Sequence, residues 1–379
     1  MCPNQGNISV GQGILLMASL VLPTAIMVMP SITIQYARQD AWVSVLLATV
    51  FALLNSLVAV AFIQLFGGMS LFQATGQLLG FLPSKLLGAL YLWWLLHTNA
   101  LIIDEFAAFL CIAIMPDTPF LAFFILAIAV SAYAVWHGLE VLSRFNQLFL
   151  PFVLAILVGV FVLLAKEMRL QRILPLLDSS PFDVLRGAAG PLSWMGEIPC
   201  LLLLTPHMVK PKQIRLVALG SVLTVCAFMF LVVLLNLLVL GAGPSSLFIF
   251  STYNAIRVVS IANFLERTES VVISMWMLSG FVKIGLFYYA AALGSAHLLG
   301  LKDYRPLVAP IGLVLLGLAM LCRNIVDLMD FIKRVWPPYA LVFEAVVPLL
   351  LLTVALLKGR GGNKVAKEAG PAGTAPSCE

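Results

Sequence analysis

The chain has 379 residues, of which 62% are apolar and only 10% charged, with a net charge of +5; soluble domains carry roughly 25% charged residues. This bias excludes a soluble enzyme, because no water-exposed surface can be built from so little polar material, and it excludes disorder, which needs the opposite bias. Lipid is the solvent for most of the chain.

Cutting the sequence at charge clusters and Pro/Gly punctuation predicts ten spans, at 10–36, 41–66, 83–115, 119–136, 140–165, 184–208, 212–241, 266–299, 305–322 and 336–357. Residues 1–9 form an N-terminal tail, 10–358 the transmembrane bundle and 359–379 a disordered tail. The start has no basic n-region and its apolar run is long, so the first span reads as retained. The expected fold is an all-α polytopic membrane protein, since the short alternating segments of a β-barrel are absent. The longest polar loop is 166–183, and 243–264 reads as interfacial helices. Lys and Arg divide almost evenly between the two sides. The cluster Lys358, Arg360, Lys364 and Lys367, with Lys210, Lys212 and Arg215, tips both termini to the cytoplasm. The six cysteines are widely spaced and read as packing residues.

Two spans carry interruptions. The first reads LVLPTAIMVMPS, with Pro23 and Pro30; the sixth reads GAAGPLSWMGEIP, with Pro191, Gly196 and Pro199. Proline removes a backbone donor, so either site is a kink or an unwound break. First and sixth of ten are corresponding positions in two halves of five, and five is odd, so the halves have opposite topology. That is the inverted-repeat plan of secondary transporters, with broken helices 1 and 6 and a site at the breaks.

Ionisable residues at membrane depth are expensive and so mark candidate sites. His97, Leu101 and Glu105 follow i, i+4, i+8 on span three, with Asp104 beside Glu105; Asp104 and Glu105 lie towards the helix's outer end, where the alternative is that they are simply solvated. Glu197, between Gly196 and Pro199, either faces a cavity, binding an amine or carrying a proton, or locks the break by accepting backbone N–H bonds. Lys283 lies three residues after Gly280 in apolar sequence. It either meets a counter-charge, standing in for a sodium ion or relaying a proton, or snorkels to the surface. Glu269, Trp276, Lys283 and Phe287 share roughly one stripe. Glu140 and Arg144 read as a local salt bridge, and Glu344 stands eight residues into the last span. No HExxH, GxSxG, phosphate-binding loop or ligand-spaced Cys/His cluster is present, which argues against intramembrane catalysis, metal or cofactor. His97, His137, His207 and His297 are scattered singles.

Several of these stretches resemble the endospore germination permeases, the B subunits of nutrient germinant receptors within the amino acid/polyamine/organocation (APC) transporter superfamily. The resemblance lies in IS at Ile8, QYARQDAWVS from Gln35, GLEVLSRFNQLFLP from Gly138, GEIPCLLLLTPH from Gly196 and, most specifically, Glu266 to Arg305. It implies a LeuT/APC-like fold of five-helix inverted repeats in the inner membrane of a bacterial spore. It also implies partnership with an A subunit and a lipoprotein C subunit, and recognition of a small nutrient such as an amino acid in a central pocket. Carried onto this chain, that pocket comprises Pro23, Thr24 and Ala25; His97, Leu101 and Glu105; Ser193, Gly196 and Glu197; and Lys283 and Phe287. Where many superfamily transporters carry a Gly-rich unwound segment in span one, this chain has LPTAIMVMP, and Pro23 offers no N–H to a substrate carboxylate. A proton-coupled amino acid transporter, or a ligand-gated ion or water channel, is the alternative reading.

Overall fold

The computed structural model describes residues 8–206, 210, 212–258, 268–321 and 324–359. The tail from 360 onward, residues 1–7, His207, Cys2, Cys322, Cys378 and the side chain of Glu269 lie outside the described residues. Among the described residues every regular element is helical. Eight stretches are long and apolar enough to cross a membrane.

The first stretch, Val10–Leu65, holds two of the expected spans, α1 (Val10–Ala37) and α2 (Ala41–Leu65), joined by the 3₁₀ turn Arg38–Asp40. Ser9 starts α1 with a capping box to Gln12, satisfying donors that a helix start otherwise leaves open. A short α3 (Leu71–Leu79) leads into α4 (Phe81–Ala113), then α5 (Phe120–His137) and α6 (Leu139–Leu163). The sixth expected span is two helices, α7 (Pro181–Met195) and α8 (Glu197–Leu204), followed by α9 (Ile214–Val239). Next come α10 (Ala242–Leu247), α11 (Ser251–Arg257), α12 (Thr268–Leu299) and the shorter α13 (Val308–Ala319). The last stretch runs Ile325–Leu357 as α14 (Ile325–Asp330), α15 (Trp336–Leu341) and α16 (Val347–Leu357), separated by π-helical turns at Phe331–Val335 and Val342–Val346.

Three expectations change. The last helix begins at Ile325 and not near 336, because Asn324 caps it through the Asp327 N–H and the charges that resemble a loop lie on a solvated face, where Arg334 pairs with Asp330 at 2.8 Å. The segment after α9 is only partly superficial. Ser251, Thr252, Ala255 and Ile256 of α11 are buried, and the Thr252 hydroxyl donates to Ile26 O of α1 at 2.6 Å. Finally, α1 is continuous through both prolines. Pro30 leaves the Ile26 carbonyl without its helical donor, and Thr252 fills that vacancy from outside. The indole N–H of Trp276 donates to Pro23 O, a second tie between α12 and α1. The sixth span is interrupted at the single residue Gly196 without unwinding, since Gly196 keeps helical dihedrals (φ −66°, ψ −21°) and the bonds Gly196 N–H to Leu192 O at 2.9 Å and Cys200 N–H to Gly196 O at 3.3 Å run through it.

α1 is the axis of the bundle, packed against α6, α7, α9 and α12, and almost all its residues from Leu16 to Ile34 are buried. Other helices keep one lipid-ready apolar face: Val50, Leu54 and Phe51 of α2 are exposed, while Ala48, Ala52 and Ala59 are buried. The polar loop is tied to the α1–α2 corner, since Asp40 accepts from the N–H groups of Leu177 at 2.7 Å and Ser179 at 2.8 Å.

Candidate functional site

The centre of the bundle is organised by one lysine. Lys283, between Gly280 and Gly285 on α12, is completely buried. Its Nζ donates to Thr24 Oγ1 of α1 at 2.8 Å and to both carboxylate oxygens of Glu197, at 2.8 and 3.1 Å. Three elements are therefore joined at one ammonium group: α1, the start of α8, and α12. Glu197 is the first residue of α8, where unpaired N–H groups favour negative charge, and Pro199 keeps the preceding turn from closing normally. Phe287, one turn along α12, presents its ring 5.8 Å from Nζ. Upstream, Gly280 lets Phe106 of α4 press against the α12 backbone, since a Cβ there would come within 2.0 Å of the ring.

Beside this pair lies a cavity of about 20 Å³, lined by Thr24, Thr98, Leu101, Ile102, Glu105, Trp194, Glu197, Lys283, Ile332 and Trp336. That is the space of roughly one water molecule. Its polar lining is not fully satisfied. Glu105 Oε1, Thr98 Oγ1 and Trp336 Nε1 are buried with no hydrogen-bond partner among the described residues, and in a low-dielectric interior such groups are costly unless something binds them.

Of the residues expected at the pocket, Thr24, Leu101, Glu105, Glu197 and Lys283 line this cavity. Pro23, Ala25, Ser193, Gly196 and Phe287 are buried around it without lining it. Pro23 contributes its carbonyl to Trp276, and the Ser193 hydroxyl turns back to Gly190 O at 2.7 Å. His97 is elsewhere: it is half-buried and packed among aromatic rings, stacked on Trp93 at 5.4 Å and edge-on to Phe331 and Tyr339 at 5.4 and 5.6 Å. Glu140 and Arg144 form the exposed local pair the spacing suggests, at 2.5 Å.

Thr98, Ile102, Trp194, Ile332 and Trp336 were not legible as pocket residues. The first two complete an i, i+3, i+4, i+7 face with Leu101 and Glu105, the ordinary helical period, whereas the i, i+4, i+8 row drifts about 40° per step and carries His97 off that face. Ile332 and Trp336 belong to the last helix, where Pro337 and Pro338 leave the Lys333 and Arg334 carbonyls without donors beside the first π-turn. These prolines were the available signal that this span, too, is irregular.

Comparisons with known proteins agree with this architecture. The family described as "Spore germination protein" matches residues 7–327. Spore germination protein KB of Bacillus subtilis (strain 168) is 24% identical over 366 residues, covering 95% of this chain and 97% of that protein. The putative spore germination protein YfkT of the same organism is 25% identical over 358 residues, covering 93% and 97%. Among solved structures, the chain is similar to MHP1, a nucleobase-cation-symport-1 family transporter, in a closed conformation with bromovinylhydantoin bound. That likeness has a TM-score of 0.58 at 15% identity, over 95% of this chain and 82% of the other. It shows a transporter-like fold of the LeuT kind.

Proposed function

Because this chain belongs to the spore germination protein family, we propose that it is the membrane subunit of a nutrient germinant receptor, binding a small nutrient, in particular an amino acid, in the central cavity and passing the event to partner subunits. The observation that carries this reading is the Glu197–Lys283–Thr24 junction beside an unsatisfied Glu105. An amino acid carries an ammonium and a carboxylate. Its ammonium is complementary to Glu105 and Glu197, and its carboxylate to Lys283 once Lys283 leaves Glu197. The ligand thus exchanges two internal contacts for two of its own, and the helices that Lys283 ties together are released. A ligand shifts a conformational equilibrium only through such differential contacts.

The cavity in this conformation is smaller than any amino acid, so binding requires the bundle around it to open. The partners are an A subunit and a lipoprotein C subunit, the termini are cytoplasmic, the membrane is the inner membrane of the spore, and the protein acts by binding and signalling without covalent chemistry. A second reading, a proton-coupled transporter, is favoured by the concentration of carboxyl groups at the cavity. Radiolabelled amino acid binding and uptake in proteoliposomes separate the two. Saturable binding without accumulation, lost in Glu105→Gln, is the expected result; accumulation driven by a pH gradient would replace the sensor with the carrier.

A further inference from the structure

Glu344 takes no part in the cavity. It is fully buried, and both of its carboxylate oxygens lack hydrogen-bond partners among the described residues. It is pressed against Gly196, where a Cβ would come within 2.1 Å of Oε2. The break in the sixth span is thus also the seat of a second carboxyl group.

The backbone that carries this group is held from outside. Glu344 lies in the π-turn Val342–Val346, and Pro348 removes the N–H that would bond the Glu344 carbonyl. Asn55 of α2 donates to that carbonyl at 3.0 Å, and Tyr91 of α4 donates to Phe343 O at 2.7 Å. Two helices therefore satisfy the acceptors of an irregular turn whose result is to aim Glu344 inward. π-turns of this kind recur at functional positions.

The titratable groups that face Glu344 are Glu197 and Cys200 of α8, Lys283 of α12 and Tyr91 of α4. Lys283 is already held by Glu197 and Thr24, and the nearest other charge is the Glu197 carboxylate, of the same sign. An ionised, unpaired carboxylate at this depth would bear its whole desolvation penalty beside a like charge. A metal ion needs several further oxygen ligands, and no metal-ligand cluster occurs among the described residues. A proton needs none.

We propose that Glu344 is a proton-binding site behind the Gly196 interruption of the sixth span, occupied while Gly196 packs against it and vacated when the bundle opens there and water reaches the carboxyl group. Opening is then linked to proton release, so alkaline pH favours the open form whichever small molecule the cavity takes.

The test uses the full chain purified in detergent. Infrared difference spectra recorded between acid and alkaline pH should contain the carbonyl stretch of a buried protonated carboxylic acid, absent in Glu344→Gln and retained in Glu105→Gln. The same band surviving in Glu344→Gln overturns the proposal. Melting temperatures supply an independent readout. Above about pH 4.3 the unfolded chain gives up this proton while the folded chain keeps it, so wild-type stability falls with pH relative to Glu344→Gln. The variant's advantage in Tm should widen from about pH 5 to about pH 8; parallel curves overturn the proposal. Glutamine has the size and polarity of the neutral acid, so failure of Glu344→Gln to fold also counts against it.

Discussion

The first and sixth spans carry the same kind of interruption in sequence and end as different structures. In α1 the acceptor freed by Pro30 is taken by Thr252, and the helix runs on through both prolines, with Trp276 adding a bond to the carbonyl of Pro23. Between α7 and α8 the helical path is interrupted only at Gly196, and the space left by the missing Cβ is filled by Glu344. Proline supplies an unpaired carbonyl in either case. At Pro30 a neighbouring helix supplies the missing donor, so the course of a proline-bearing span is a property of the bundle and not of the segment alone.

The largest effect should come from cutting the tie at the broken end. Lys283→Met leaves Glu197 buried without its cation, and removing one member of such a pair costs about 3–5 kcal/mol; thermal unfolding in detergent should register the loss, and adding Glu197→Gln should restore most of it. Gly196→Ala places a methyl group where the Glu344 carboxyl sits, an overpacking worth about 1–3 kcal/mol. Combining it with Glu344→Ala should be less damaging than the sum of the two, and strict additivity would mean that the two do not meet. On the continuous side, Thr252→Val strands the Ile26 carbonyl at a cost of about 1–3 kcal/mol, and amide hydrogen exchange in α1 should rise near Pro30. Were exchange there unchanged, the helix would not depend on its outside donor. The smallest effect belongs to an exposed pair on α6. Arg144→Ala removes an exposed ion pair and should alter stability by no more than about 1 kcal/mol.

Much of this fold was legible because burying charge in lipid is expensive enough to write itself into the sequence. Lys283, Glu197 and Glu105 stood out as charges in apolar runs, and all three meet at one cavity. His97 stood out equally and lies among aromatic rings, because polarity marks a residue without giving its direction, and direction follows from the 3.6-residue period around Thr98, Leu101, Ile102 and Glu105. The start of the last helix was hidden because an i, i+4 charge pair on a helical face has the composition of a loop. Glu344 was visible as a charge, yet its place was not, since that place depends on Asn55 and Tyr91, more than 250 residues away in sequence.

The size of the central cavity bears on how any affinity measured for this protein should be interpreted. A space of about 20 Å³ admits nothing larger than water, so a nutrient bound there, as proposed, would meet only the fraction of molecules that has already opened. If that fraction is about 1%, the apparent dissociation constant is roughly 100-fold weaker than the one the open pocket itself would show. Weak binding would then measure how firmly the closed bundle holds itself shut, and substitutions that loosen the closed state would sharpen sensitivity without touching the ligand.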